Sequence, residues 1–172
     1  MSPAADVANA AARWLPAYVG VGSNLSDPAA QVRRALAALG ELPGTTLVAS
    51  SPLYRTPAFG DVVQPEFVNA VAGLLTQRTP EEFLADLRAL ERRLGREPPR
   101  ERWGPRVIDL DLLVVGREER KTDTLTLPHG GIAERDFVLY PLADIAPDLD
   151  VPRLGRVATL RDRVANRGVE RL

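Results

Sequence analysis

The 172-residue chain has no cysteine, one histidine, few aromatic side chains and no long apolar run. The lack of cysteine excludes disulfides and zinc–thiolate sites. No apolar stretch approaches the roughly 20 residues that a membrane-spanning helix needs. The alanine-rich start up to Trp14 has neither the basic beginning nor the long apolar centre of a secretory signal. We therefore expect a cytoplasmic protein with no membrane partner.

Charge is balanced over the whole chain but concentrated locally. The net charge is −1, from 22 basic and 23 acidic residues, which is less basic than is usual for a nucleic-acid-binding protein. Seven arginines nevertheless lie in one short segment: Arg88, Arg92, Arg93, Arg96, Arg100, Arg102 and Arg106. This cluster indicates a compact anionic ligand, although a solvated helix face followed by a polar loop would give the same pattern.

Hydrophobic periodicity predicts alternating strands and helices. Strands are predicted at 17–22, 45–54, 67–76 and 107–115, and a helix follows the first and the third of them. Asp27-Pro28 and Thr79-Pro80 each combine a capping side chain with an early proline, which is typical of helix starts. The order β-α-β-β-α-β predicts an α+β fold with a ferredoxin-like core, in which an antiparallel sheet carries two helices on one face.

The rest of the chain is predicted to extend this core. An extended segment at 124–127 and helices at about 135–145 and 160–164 form a C-terminal extension that partly covers the other face of the sheet. No repeat, low-complexity tract or interdomain linker is visible. We therefore predict a loosely ordered N-terminal extension at 1–16 and a single catalytic domain at 17–172.

Two aspartates lie on the last predicted core strand. Because side chains alternate along a strand, Asp109 and Asp111 point to one face, and Ile108, Leu110 and Leu112 point to the other. Two carboxylates ~7 Å apart on one face can bind hard cations such as Mg²⁺, which leave positions for phosphate oxygens. A strand with one wet face would look similar, but aspartate is a poor strand former, and arginine with magnesium is typical of polyphosphate sites.

Three flanking features are weaker signals. The turn from Gly20 to Asn24 lies between a strand and a helix, where backbone N–H groups could bind an anion, but it matches neither a Walker motif nor a complete dinucleotide fingerprint. Trp103 could stack on a ring-shaped substrate, and His129 could donate to a phosphate. Taken alone, a tryptophan is more often a core residue, and an isolated histidine is more often structural or solvated.

Five segments together resemble one known family. The segment Arg102-Trp-Gly-Pro-Arg-Val-Ile-Asp-Leu-Asp-Leu-Leu113 resembles the signature of the 6-hydroxymethyl-7,8-dihydropterin pyrophosphokinases. The other matching segments are Tyr18-Val-Gly-Val-Gly-Ser-Asn-Leu25, Ser50-Ser-Pro-Leu-Tyr-Arg-Thr-Pro57, Gln64-Pro-Glu-Phe-Val-Asn-Ala70, and Leu127-Pro-His129 with Arg135-Asp-Phe137. The resemblance extends from about Tyr18 to Pro147.

The resemblance implies an activity and a set of site residues. The reaction would move the pyrophosphoryl group of Mg-ATP to 6-hydroxymethyl-7,8-dihydropterin and release AMP, in folate biosynthesis. Asp109 and Asp111 would hold two Mg²⁺ ions, and Arg96 and Arg106 would be catalytic arginines. ATP, the co-substrate, would contact Glu91, Arg106, Leu112, Thr126, His129 and Arg135. The pterin would contact Thr56, Pro57, Phe59, Asn69, Trp103 and Phe137, with Trp103 and Phe137 stacking on its ring. We expect a monomer that binds no nucleic acid.

The chain departs from the family pattern at a few positions. Pro98 stands where a second catalytic-loop arginine is usual, and Arg100 is a candidate to replace it. Arg88 stands where a shorter polar residue is usual, and Thr124 replaces a basic residue. None of these changes removes a predicted metal ligand or a residue that stacks on the pterin.

Two other functions suit the same element order. A metal-dependent nucleotidyl transferase would release pyrophosphate instead of AMP, but it leaves Asn69 and the stacking aromatics unexplained. An RNA-binding module would need exposed aromatics and a basic surface. Aromatic residues make up only 5% of this chain and its pI is about 5.9, which disfavours RNA binding.

Overall fold

The computed structural model describes residues 13–58, 60–61, 63–97 and 104–172. Within these ranges the elements follow in the order β1 (Leu15–Ser23), α1 (Pro28–Leu39), β2 (Thr45–Ser50), β3 (Tyr54–Thr56), β4 (Phe67–Thr76), α2 (Pro80–Arg93), β5 (Asp109–Val115), β6 (Arg120–Lys121), β7 (Thr126–Leu127), a 3₁₀ helix (Ile132–Glu134), α3 (Asp136–Ile145), β8 (Asp150–Val151), β9 (Gly155–Arg156), α4 (Val157–Arg163) and β10 (Glu170–Arg171). In the described part of the chain, no helix is both long enough and apolar enough to span a membrane.

A six-stranded antiparallel sheet forms the centre of the molecule. Its strands lie in the order β10-β3-β4-β1-β5, and β2 pairs with the part of β4 that β3 leaves free. The predicted α+β class with an antiparallel sheet is confirmed. The order of the four core strands also agrees with the predicted ferredoxin-like core.

The prediction of one continuous strand at 45–54 is wrong, because this segment contains two strands, β2 and β3. Pro52 has no N–H group to donate to a neighbouring strand. At the break, the Ser51 N–H donates to the Val71 carbonyl over 2.9 Å, and the Ser51 hydroxyl accepts from the Val71 N–H over 2.9 Å. Ser51 thus keeps the chain attached to β4 while it bends into β3. The last core strand begins at Asp109, two residues later than predicted, and the helix predicted at 160–164 is α4.

Helices α1 and α2 cover one face of the sheet. The Asp27 side chain accepts from the Ala30 N–H at the start of α1, and Thr79 and Glu82 form a reciprocal capping box at the start of α2. Their buried side chains meet alternate residues of β1 and β5 in the main core: Val19, Val21, Val32, Leu36, Leu39, Phe83, Leu87, Leu90, Leu110 and Leu112. Burial of this apolar surface is the main stabilising contribution of the core.

The C-terminal extension covers part of the opposite face, as predicted. Leu139 and Leu142 of α3 and Leu160 of α4 pack against Val71 and Leu113 of the sheet. The C-terminal extension does not reach the end of the sheet at which β5 begins. The candidate site lies on that uncovered part.

Candidate active site

Three cavities meet at the two aspartates of β5. Asp111 lines all three cavities, and Asp109 lines two of them. The first cavity also contains Gly20, Gly22, Thr56, Pro57, Gln64, Phe67, Asn69, Arg135 and Phe137. The second contains Arg88, Glu91, Arg92, Arg96, Glu97 and Arg106. The third contains Leu84, Arg88, Leu112, Thr124, Leu125, Thr126, His129 and Gly130.

Strand pairing explains why both carboxylates are accessible. Gly22 pairs with Asp109 and Gly20 pairs with Asp111, so that β1 places no side chain beside either carboxylate. Leu110 points to the opposite face and is fully buried in the main core. The predicted alternation of this strand is therefore confirmed.

Asp109 and Asp111 have different electrostatic surroundings. Asp109 accepts from Arg96 Nη1 over 2.8 Å and from Arg106 Nη1 over 3.1 Å. Within residues 13–58, 60–61, 63–97 and 104–172, Asp111 has only a distant ion pair, 3.9 Å from Arg135 Nη1. Burial, followed by the negative charge of Asp109, raises the pKa of Asp111 to about 6. In the absence of a cation, the pair therefore holds a proton more readily than a free aspartate does.

The second cavity is rich in guanidinium groups, and Glu91 binds two of them. The Glu91 carboxylate is 2% exposed, and it accepts from Arg96 and, over 2.6 Å, from Arg88 Nη1. Arg106 Nε is buried and has no hydrogen-bond partner in the described part of the chain. A buried donor without an acceptor is costly unless a ligand supplies one, and phosphate oxygens are suitable acceptors.

The third cavity has one apolar and one polar side. Leu84, Leu112 and Leu125 provide apolar surface, and Thr126 and His129 provide polar groups. His129 Nδ1 accepts from the Gly131 N–H over 3.1 Å. Burial, with a smaller effect from the positive charge of Arg135, lowers the pKa of His129. His129 is thus neutral near pH 7 and carries its proton on Nε2, which can donate to an anion.

The first cavity combines a polar edge with an aromatic ring. Asn69 Nδ2 donates to Thr56 Oγ1 over 2.7 Å. A Cβ atom on Gly22 would lie 2.5 Å from Asn69 Oδ1, so that only glycine leaves room for this amide. On the other side, the Arg135 guanidinium lies 5.7 Å from the centre of the Phe137 ring. These groups suit a flat, polar, aromatic molecule.

Most of the predicted site residues come together around these cavities. Thr56, Pro57, Asn69 and Phe137 line the first cavity; Glu91, Arg96 and Arg106 line the second; Leu112, Thr126 and His129 line the third. Arg135, which is predicted to bind the nucleotide, lines the first cavity beside Asp111. Phe59 and Trp103 lie outside the described residues, as do Pro98 and Arg100.

Asn24 has a role that the sequence did not reveal. Its backbone N–H donates to the Arg106 carbonyl over 3.1 Å, so this group of the Gly20–Asn24 turn is already engaged. The Asn24 amide group donates to Gln64 Oε1 and to the Pro65 carbonyl, and its oxygen accepts from the Arg106 N–H. Its 2% exposure marks it as a buried polar connector. The only available sequence signal was an asparagine directly after a strand.

Comparisons with known proteins identify close relatives. Residues 18–147 match the family described as 7,8-dihydro-6-hydroxymethylpterin-pyrophosphokinase. A 2-amino-4-hydroxy-6-hydroxymethyldihydropteridine pyrophosphokinase from Pseudomonas aeruginosa is 45% identical over 155 residues, covering 90% of this chain and 95% of the relative. The enzyme of the same name from Methylorubrum extorquens is 47% identical over 133 residues, covering 77% of this chain and 84% of the relative.

Among solved structures, the chain is similar in fold to wild-type HPPK-DHPS from Plasmodium falciparum with pteroate. The TM-score is 0.70 at 13% identity, over 87% of this chain and 42% of that chain. At this identity the likeness concerns the fold alone. The chain therefore spans less than half the length of that solved protein.

Proposed function

This chain belongs to the 7,8-dihydro-6-hydroxymethylpterin-pyrophosphokinase family and transfers a pyrophosphoryl group from ATP to 6-hydroxymethyl-7,8-dihydropterin in folate biosynthesis, and we propose that it does so where its three cavities meet at Asp109 and Asp111. The observation that supports this assignment is the position of Asp111, which borders all three of the cavities described above. A bisubstrate transfer needs one point that both substrates can reach.

We place the pterin in the first cavity. The paired Asn69 and Thr56 side chains supply donors and acceptors for the polar edge of the ring, and Phe137 supplies a stacking surface. Trp103 and Phe59 are proposed as further pterin contacts from the family resemblance. In this arrangement the hydroxymethyl group faces Asp111.

We place the nucleotide across the other two cavities. The apolar surface of Leu84, Leu112 and Leu125 suits the base, with Thr126 nearby. Arg96 and Arg106 suit the phosphates because both bear permanent positive charge. His129 is proposed to donate from Nε2 to a phosphate oxygen. Arg135 lies between the two substrates, where its charge can be shared with a phosphate of the bound nucleotide.

The carboxylates fit Mg²⁺ bound together with a nucleotide. No cluster of three or more metal-binding side chains occurs among the described residues, and Mg²⁺ bound to nucleotides commonly takes only one or two carboxylates. The donors at Asp109 and Asp111 are all oxygens. Burial, followed by the negative charge of Asp109, raises the pKa of Asp111, and a bound cation would favour its charged form. When bound, Mg²⁺ neutralises phosphate charge and orients the reacting oxygens. We propose that these two residues hold two such ions.

The protein contributes mainly position and charge to the reaction. The hydroxymethyl oxygen loses its proton, for which Asp111 is the proposed acceptor, and bonds to the β-phosphorus of ATP. The bond from that phosphorus to the oxygen bridging to the α-phosphorus breaks, and AMP leaves with the bridging oxygen. Arg96 and Arg106 pair with Asp109 in the free protein. We propose that they exchange this carboxylate for phosphate oxygens when the nucleotide binds, which frees Asp109 for a cation.

Product analysis of matched variants tests the assignment. The protein is incubated with ATP, Mg²⁺ and 6-hydroxymethyl-7,8-dihydropterin, and the nucleotide product is separated. Asp109→Asn and Asp111→Asn should each lower pterin-dependent AMP formation by about 10³-fold or more, because each removes transition-state charge stabilisation. The control is Asp123→Asn on an exposed turn, which should keep full activity.

Two results would contradict parts of this proposal. Normal AMP formation by Asp109→Asn and Asp111→Asn would place the chemistry elsewhere. Release of pyrophosphate instead of AMP would indicate the nucleotidyl transferase chemistry that the element order also suits. The monomeric state, the cytoplasmic location and the absence of nucleic-acid binding stay predictions.

A further inference from the structure

The C-terminal segment from Asn166 to Leu172 contacts both walls of the first cavity. We call it the C-terminal brace. It lies beyond residue 147, where the match to the family ends. One wall of the cavity is the end of β3, at Thr56 and the following Pro57, and the other is the start of α3 at Phe137.

The brace holds the first wall through backbone pairing and one close contact. Strand β10 pairs with β3, with Glu170 opposite Arg55, and the Leu172 N–H donates to the Leu53 carbonyl over 2.9 Å. Gly168 has a φ of +109°, and a Cβ atom there would lie 3.1 Å from Pro57 Cγ. The backbone at Gly168 is thus packed directly against a residue that lines the cavity.

The brace holds the second wall through a buried carboxylate. The Arg167 N–H donates to one oxygen of Asp136 over 2.7 Å, and the Phe137 N–H donates to the other over 2.8 Å. Asp136 is 5% exposed, so both hydrogen bonds are largely shielded from water. The Asn166 side chain accepts from the backbone N–H groups of Gly168 and Val169, which fixes the turn between the two contacts.

From these contacts we propose that the C-terminal brace is a positioning element for the pterin, because it sets the separation between Pro57 and Phe137. Strand β3 has only three residues, and in the described part of the chain β4 is the one strand other than β10 that pairs with it. A short strand paired on one side opens locally more easily than one paired on both sides. This inference rests on the assignment of the first cavity to the pterin.

Two glycines provide a matched pair for the test. Gly155 has a φ of +103°, close to the +109° of Gly168, but a Cβ atom on Gly155 would meet nothing within 4 Å. Gly168→Ala and Gly155→Ala therefore carry a similar backbone strain, and only the first also pushes on Pro57. We expect Gly168→Ala to raise the KM for the pterin about three- to tenfold, since small displacements of a bound substrate are costly. The KM for ATP should not change, and Gly155→Ala should keep both constants.

A second variant tests the other end of the brace without adding bulk. Asp136→Asn keeps the shape of the side chain and weakens its hold on Arg167 or Phe137, so the KM for the pterin should also rise while the KM for ATP stays constant. Urea unfolding of all variants separates loss of stability from loss of position. An equal rise in both KM values, or a pterin KM within about twofold of the parent in both Gly168→Ala and Asp136→Asn, would overturn the inference.

Asn69→Ala distinguishes failure of this inference from failure of the cavity assignment. If Asn69→Ala raises the pterin KM and the brace variants do not, the brace has no positioning role and the assignment stands. If Asn69→Ala also leaves the pterin KM unchanged, the pterin does not bind in the first cavity and both proposals fail. A rise in all three variants, with unchanged ATP constants, supports both.

Discussion

At the scale of single residues, the site depends on where side chains are absent. Gly22 lies opposite Asp109 on the neighbouring strand and beside Asn69. A side chain there would occupy the space that the Asn69 amide needs. Gly22 is therefore required because a side chain would collide with Asn69 in the first cavity, and not because of its backbone angles.

Gly22→Ala tests this packing. The new Cβ atom would lie 2.5 Å from Asn69 Oδ1 and must displace the amide from Thr56. Loss of a well-placed polar contact costs about 1–3 kcal/mol, which corresponds to a pterin KM raised about five- to 150-fold. The measurement is steady-state kinetics at saturating ATP. The control is Gly73→Ala, whose Cβ atom would make an ordinary contact of 3.4 Å with Ile145. An unchanged pterin KM in Gly22→Ala would show that Asn69 does not hold the ring.

The raised pKa of Asp111 predicts a pH dependence of metal binding. Burial and the charge of Asp109 raise this pKa to about 6, so a proton competes with the cation when the pH falls below that value. We expect the affinity for Mn²⁺, measured by electron paramagnetic resonance, to be constant above pH 7 and to fall about tenfold per pH unit below the pKa. A flat profile between pH 5 and 8 would indicate that Asp111 is not a ligand.

At the scale of elements, the site depends on contacts between segments that are distant in sequence. Asn24 at the end of β1 joins the segment before β4, through Gln64 and Pro65, to the segment before β5, through Arg106. These three segments contribute residues to the first cavity. Asn24 thus connects the elements that form the proposed pterin site to Arg106, the arginine proposed to bind the phosphates.

Asn24→Ala should lower both stability and activity. The substitution leaves the Arg106 N–H and the Pro65 carbonyl without their partner, which costs about 1–3 kcal/mol in the free energy of unfolding. Urea unfolding measures this loss, and the reaction rate should fall because Arg106 loses its fixed position. The control is Gln31→Ala, which removes an exposed amide that donates to the Ser26 carbonyl and should change stability by about 0.5 kcal/mol or less. Equal losses of stability and rate in the two variants would show that Asn24 has no special role.

The sequence could predict those elements that depend on local signals, but not the contacts between distant segments. Caps, early prolines and apolar periodicity are local, so they located α1, α2, β4 and β5 to within two residues. The break at Ser51 depends on a bond to Val71, and the role of Asn24 depends on Gln64 and Arg106. Pro52 is a local sign of the break, but no local pattern identifies these distant partners. The positions of Asp109 and Asp111 were predictable because strand alternation is local, whereas the ion pairs of Asp109 required the fold.

At the scale of the whole molecule, one side-chain contact joins the edge of the sheet to the covering helix. The Tyr54 hydroxyl on β3 donates to the Asp144 carboxylate on α3. The contact lies on the same two elements that the C-terminal brace connects. The Tyr54–Asp144 hydrogen bond and the C-terminal brace together hold the C-terminal extension against β3.

Stability should therefore change at alkaline pH in a way that depends on Tyr54. Burial, with the hydrogen bond to Asp144, raises the pKa of Tyr54 to about 12. A tyrosine in the unfolded chain loses its proton near pH 10. The folded state binds more protons between these two values, so this contribution to stability is complete below pH 10 and is lost as the pH rises to 12. Urea unfolding should show that loss in the parent protein and a smaller one in Tyr54→Phe. Identical pH profiles would contradict this assignment.

The pairing of charges around the second cavity affects how fast ATP arrives. Among the residues that the structure describes, four arginines and four carboxylates line this cavity, namely Arg88, Arg92, Arg96, Arg106, Glu91, Glu97, Asp109 and Asp111. Opposite charges at such short range largely cancel beyond about 8–10 Å at moderate salt. The free site therefore has little net field to draw in a distant anion, and the association rate constant of ATP should vary only weakly with ionic strength. In the proposed arrangement, recognition of the nucleotide would begin only at contact, when its phosphates displace Asp109 from the arginines.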